Sequence, residues 1–165
     1  LGGSAAGLYL LKTRDVLARA GAEEHPLVRA HLDPRPPLEL GPLLAALGGD
    51  GREIAAIDIS DGLSSELAHL ARQSGCALRV DADRLPAHPA LAGAFAAGFP
   101  VRDYLLHGGE EYQLLFTGNF DEAELARLNA VAPVTEIGIV EAGEGVMLRE
   151  GGEDRALEAK GYSHG

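Results

Sequence analysis

Tryptophan is missing from the 165 residues, and cysteine occurs once, as Cys76. A lone cysteine excludes an internal disulfide and any cysteine-based zinc centre. Set beside Ala77 and Leu78, it reads as a small core residue. With aromatics at 5%, the core has to be built from Leu, Ala, Val and Ile. Basic residues are also short. There are 14 Lys and Arg against 25 Asp and Glu, a net charge of −11, and they are scattered along the chain. Sequence-independent nucleic-acid binding needs clustered positive charge, so that class is excluded, and attachment to an anionic membrane surface is disfavoured for the same reason. No apolar run approaches the roughly 20 residues of a membrane span. No basic leader precedes a hydrophobic segment, which points to the cytoplasm. The phosphate-cradling P-loop, the protein-kinase catalytic loop and the Gly-x-Ser-x-Gly hydrolase elbow are all absent.

What is present has the balance of a folded domain: 46% hydrophobic and 24% charged residues, enough for one core without staples. The 22 glycines imply tight turns and backbone lying close to something. Ser4 is placed to cap a helix running to about Ala20, with Gly21 as its stop. Glu23 to Pro37, with Pro26, Pro34, Pro36 and Pro37, reads as loop. A short helix follows Gly41. Ile54 to Ile59 is apolar in both alternating sets and reads as a strand buried on both faces. Leu63, Leu67 and Leu70 recur at helical spacing, Gly75 ends that helix, and Ala77 to Val80 is the next strand. This strand–helix–strand order predicts an α/β layered domain. Further on, a helix is expected over Pro89 to Ala97, a strand over Tyr112 to Thr117 and a helix capped by Asp121. Ile137 to Val140 and Val146 to Arg149 are expected to pair as a hairpin.

Two segments carry chemistry. In Ile57-Asp58-Ile59-Ser60-Asp61-Gly62-Leu63, two carboxylates and a hydroxyl sit where a strand ends and a helix begins, a place where α/β proteins bind ligands. Asp58 and Asp61 are hard oxygen donors suited to magnesium, and Ser60 can donate to a phosphate oxygen. Helix capping by Ser60 or Asp61 is the alternative. An aspartate at the buried end of a strand would be costly unless paired. In His107-Gly108-Gly109-Glu110-Glu111-Tyr112, paired glycines let backbone approach a ligand, with Glu110 beside the cleared space; a solvated turn is the alternative. Tyr162 in Lys160-Gly161-Tyr162-Ser163-His164 can cover an aromatic ring, or belong to a frayed tail. His25, His31, His69 and His88 lack metal spacing and read as solvated or core residues.

Taken in order, Ser4-Ala5-Ala6-Gly7-Leu8, Ala56 to Leu63, Gly108 to Tyr112 and Lys160 to His164 resemble the second half of the bacterial thiamine-monophosphate kinases. That family is grouped with aminoimidazole ribonucleotide synthetase, selenophosphate synthetase and a hydrogenase-maturation protein. The resemblance implies that residues 1–165 are one C-terminal domain, a mixed β-sheet packed with helices. A separate N-terminal half, absent from this chain, would form a homodimer and supply most ATP and magnesium ligands. The implied reaction is magnesium-assisted in-line transfer from ATP to thiamine monophosphate, giving thiamine diphosphate, with this half inactive alone. Asp58 and Asp61 would bind Mg2+, Ser60 would touch ATP, and Glu110 and Tyr162 would contact the substrate.

The chain departs from the family pattern at Gly3, where an Asp is usual, and at Glu111 and Gln113, which replace Asp and Glu. Tyr162-Ser163-His164-Gly165 also stands in for Tyr-Asp-His-Phe. A sibling enzyme with another substrate and a non-catalytic ligand-binding module are the competing readings.

Overall fold

The computed structural model describes residues 1–13, 24–49, 51–94 and 100–161. The expected ends of the first helix, near Ala20, and of the helix toward Ala97 lie outside them, as does Tyr162. Among the described residues there are helices α1 (Gly3–Thr13), α2 (Pro26–Leu32), α3 (Leu40–Gly48), α4 (Leu63–Ser74), α5 (Leu91–Ala94), α6 (Val101–His107) and α7 (Glu122–Val131). The strands are β1 (Ala55–Asp58), β2 (Ala77–Asp81), β3 (Leu114–Thr117), β4 (Gly138–Glu141), β5 (Gly145–Glu150) and β6 (Glu153–Ala156).

Local chemistry sets several element ends as expected. Gly75 takes the left-handed conformation that stops α4, the position a glycine fills at least cost. Asp121 and Glu124 exchange side-chain-to-backbone hydrogen bonds in a capping box that starts α7. Other ends differ from expectation. Ser4 lies inside α1, which begins at Gly3, so its hydroxyl is available for another partner. The proline-rich segment contains α2, because Pro26 occupies the first helical turn, where its missing N–H costs nothing.

Strand pairing places the elements in two sheets. β1 and β3 form an antiparallel ribbon, and the second sheet has the order β4-β2-β5-β6 with a parallel β2–β5 pair. The strands flanking α4 therefore belong to different sheets. α4 joins them: its Leu63, Leu67, Leu70 and Ala71 are buried in a core shared with Ile59, Leu78, Val80, Leu115, Val146 and Leu148. Cys76 is half-buried against this core. A smaller cluster of Leu40, Leu44 and Leu128, with Ile54, Leu114 and Phe116, seats α3 and α7 against the ribbon.

Two expectations fail here. β1 is not buried on both faces: Ala55 and Ile57 turn toward the core, while Ala56 and Asp58 are exposed. The desolvation cost anticipated for Asp58 therefore does not arise. β4 and β5 do not pair, because β2 lies between them, with Ala77 in register with both Glu141 and Gly145. The connection must cross two strand spacings, about 10 Å, which a short extended link can reach; Gly143 passes over Ala77 as it does so. The actual hairpin is β5–β6, closed at Glu150↔Glu153 by Gly151 and Gly152, both at positive φ.

Candidate functional site

Beyond Asp58↔Leu114 the ribbon continues as an irregular interlock between two of the sequence motifs. Ile59 N–H donates to the Gln113 carbonyl at 2.8 Å, Tyr112 N–H to the Ile59 carbonyl at 2.9 Å, and Glu110 N–H to the Ser60 carbonyl at 2.7 Å. To make these bonds, Glu110 and Tyr112 adopt φ of 59° and 50°, a left-handed backbone that costs a side-chain-bearing residue about 1–2 kcal/mol. Gly109 has a steric reason to be glycine, since a Cβ there would sit 2.6 Å from the Ser60 carbonyl oxygen. Gly62 is the same on the other side, with a Cβ 2.8 Å from the His107 carbonyl oxygen.

The remaining two motifs close on the same place. Glu111 Oε1 accepts a hydrogen bond from the Ser4 backbone N–H at 3.0 Å, putting a carboxylate on the N-terminal turn of α1, where unpaired N–H groups favour it. A Cβ at Gly108 would lie 2.8 Å from the Ala5 Cβ, so this glycine lets the two segments touch. Gly161 N–H donates to Ser65 Oγ at 3.1 Å and Lys160 N–H to Ser64 Oγ at 3.3 Å. Gly161 packs so tightly on the Asp61 carbonyl that a side chain has no room. Four segments distant in sequence are thus linked in series: the first motif touches the third, the third locks onto Ile59 and Ser60, and Gly161 packs on Asp61.

Underneath runs a polar layer with no local sequence signal. Glu66, only 3% exposed, accepts from Asp61 N–H at 3.2 Å and from Ser60 Oγ at 3.5 Å. Ser64 Oγ hydrogen-bonds His107 Nδ1 at 2.8 Å. Burial lowers the His107 pKa below its ordinary value of 6.5, with Asp103 opposing and Lys160 and Arg155 adding to the shift. Glu66 and Ser64 stand in the first turn of an amphipathic helix and look like ordinary helix residues; only the fold shows that they face the loop.

Of the predicted site residues, Asp58, Ser60, Asp61 and Glu110 fall on this one interlock. Tyr162 lies outside the described residues. Among the described residues no group of three or more His, Cys, Asp or Glu gathers into a metal site. Asp58 and Asp61 are hard oxygen donors of the chemical kind magnesium takes. A groove of about 370 Å³ is lined by residues of α2 and the segment after it together with His88, Glu111 and Gln113, and Asp58, Ser60, Asp61 and Glu110 are not among its lining residues. With Asp58 and Glu110 exposed and Ser60 and Asp61 partly so, the interlock is an open face.

No family model matches the chain. The thiamine-monophosphate kinase of Salmonella typhimurium is 36% identical over 99% of this chain and 49% of its own length. The chain matches the C-terminal half of the thiamine-monophosphate kinases. It spans about half the length of the curated relatives it matches. The structure of AaThiL complexed with AMPPCP and TMP superposes with a TM-score of 0.75, at 34% identity, over 99% of this chain and 48% of that one. Thiamine-monophosphate kinase from Stenotrophomonas maltophilia gives a TM-score of 0.73 at 35% identity, over 90% of this chain and 47% of that one. The mixed α/β fold is the one expected from the aminoimidazole ribonucleotide synthetase group. Among the described residues no helix is long and apolar enough to cross a membrane.

Proposed function

We propose that this chain is the C-terminal domain, residues 1–165, of a two-domain cytoplasmic enzyme that phosphorylates thiamine monophosphate to thiamine diphosphate at the expense of ATP. The observation that carries this reading is the linking in series of four motif segments at one open face, in a chain similar over 99% of its length to thiamine-monophosphate kinases. An N-terminal half would supply the other nucleotide and metal ligands and the homodimer contact.

In this reading Asp58 and Asp61 hold magnesium, and the metal, when bound, offsets the negative charge of the two phosphate-bearing substrates. Asp58 is exposed at the end of β1, and Asp61 has its backbone fixed by Glu66. Ser60 Oγ donates to Glu66 across 3.5 Å, at the long limit of a hydrogen bond, so a phosphate oxygen of ATP competes for it readily. Glu110 presents an exposed carboxylate suited to the cationic thiazolium and aminopyrimidine part of the substrate, because the phosphate end would be repelled. Tyr162 covers the same ring system. The acceptor phosphate is already ionised, so no general base is assigned.

The test is thiamine diphosphate formation by the protein joined to its upstream half, with ATP, magnesium and thiamine monophosphate. Turnover abolished by EDTA, together with none from residues 1–165 alone, supports the whole reading. Absent turnover in a folded two-domain protein moves the assignment to a sibling substrate or a binding module.

A further inference from the structure

His31 reads as an unremarkable histidine in sequence, yet the fold builds a seat for it. α1 and α2 cross so closely that Gly7 lies against the Leu27 carbonyl, and a Cβ on Gly7 would meet the His31 Cβ at 3.1 Å. Any larger residue at position 7 would push α2, and His31 with it, away. Ser4, only 1% exposed, then places its hydroxyl 3.0 Å from His31 Nδ1. The same ring nitrogen lies 3.5 Å from Glu110 Oε2, with the His31 side chain 16% exposed and that of Glu110 57%. Thus the first motif, through Ser4 and Gly7, fixes a ring from α2 against the acid of the third motif.

The chemistry of that arrangement is directional. Glu110 is the acid whose backbone sits in the left-handed region, which limits the rotamers its side chain can take. A ring with hydrogen on Nδ1 faces a carboxylate without lone-pair repulsion, and Ser4 Oγ can then accept from the same N–H. Both contacts use Nδ1, so the trio cannot relay a proton from Ser4 to Glu110 through the ring. Its effect is to restrict one exposed carboxylate, which lowers the ordering cost when a ligand binds it.

We propose that His31 is a positioning residue: seated by Ser4 and Gly7, it holds the Glu110 carboxylate in the orientation that meets the substrate. This rests on the reading that Glu110 contacts thiamine monophosphate. The experiment is steady-state kinetics of the two-domain enzyme carrying His31→Ala, His31→Asn, Glu110→Ala and the double change His31→Ala/Glu110→Ala, each checked by thermal melt. His31→Ala should raise KM for thiamine monophosphate about tenfold while kcat stays within about twofold. His31→Asn, whose amide N–H stands where Nδ1 stood, should recover most of the loss. In the Glu110→Ala background, His31→Ala should add nothing. If Glu110→Ala raises KM and His31→Ala does not, or if the two effects add, the positioning role is overturned while the role of Glu110 survives. If Glu110→Ala leaves KM unchanged, the reading of Glu110 itself fails. Should His31→Ala not fold, Ser4→Ala replaces it: a KM rise that disappears in the Glu110→Ala background supports the role, and an unchanged KM overturns it.

Discussion

The β5–β6 hairpin and the loop after α6 both carry the backbone into the left-handed region, and they choose opposite residues for it. The hairpin uses Gly151 and Gly152, at φ of 58° and 88°, whereas the loop uses Glu110 and Tyr112, at 59° and 50°. Polar groups are handled differently too. Around the hairpin, Arg149 pairs with Asp154 and Arg155 with Glu150 on exposed side chains, contacts worth little to stability. At the loop, polar groups are joined to partners far away in sequence, as with Glu111 to the Ser4 N–H and Glu110 N–H to the Ser60 carbonyl. The hairpin takes the least costly solution everywhere. The loop keeps side chains where glycine would be easier, which is the pattern of positions retained for what the side chain does.

The sharpest way to separate these regimes is Asp58→Ala. Because Asp58 is exposed, stability should move by less than about 0.5 kcal/mol, while turnover of the two-domain enzyme should fall by about 100-fold or more. Turnover against magnesium concentration and a urea melt check both halves of the statement. A large loss of stability would instead assign Asp58 to the fold.

Next in size is Glu66→Ala, which removes a buried carboxylate that accepts from Asp61 N–H and should cost about 1–3 kcal/mol. Glu66→Gln keeps an accepting oxygen and should recover much of that in the same melt.

The comparison itself can be inverted with a reciprocal pair. Glu110→Gly should stabilise the protein by about 1 kcal/mol while weakening substrate binding, and Gly151→Glu should destabilise it by about the same amount with kinetics unchanged. Equal melts for both would remove the argument from backbone strain.

The smallest expected effect is a pH dependence from His107. Its folded pKa is held below 6.5, chiefly by burial, so the unfolded chain binds the proton more readily. Its stabilising contribution is therefore present above the ordinary value and lost as pH falls below it. Urea melts near pH 7.5 and about pH 5.5 should show a smaller drop for His107→Gln than for the natural chain.

Sequence reading succeeded where the cause is local. Gly75 needs only its own conformation to end α4, and Asp121 needs only Glu124 to start α7. It failed where a neighbour decides. Pro26 is a breaker inside a helix and a starter at its first turn, so α2 was read as loop. β6, Glu153–Ala156, is exposed throughout and has no apolar alternation to reveal it. The insertion of β2 between β4 and β5 cannot be seen from two strands and a glycine-rich turn. For the candidate site, Asp58, Ser60, Asp61 and Glu110 were legible as clustered polar residues beside glycines. Glu66, Ser64 and His31 were not, because each acts on a segment that only the fold brings near. Glu111, whose role the altered motif left open, has its partner on α1.

The interlock also has a history in time. Ser4 and Glu111 stand 107 positions apart, and Ser64 and Lys160 stand 96 apart. Closing such long loops is slow, and it can follow only after the intervening strands have found their register. The Ser60–Glu110 contact needs only the chain as far as Tyr112, whereas the cover over the Asp61 carbonyl must wait until Gly161 has been made. The Asp61 edge of the interlock is thus the part completed last, by two backbone N–H groups from residues 96 positions beyond the hydroxyls they reach.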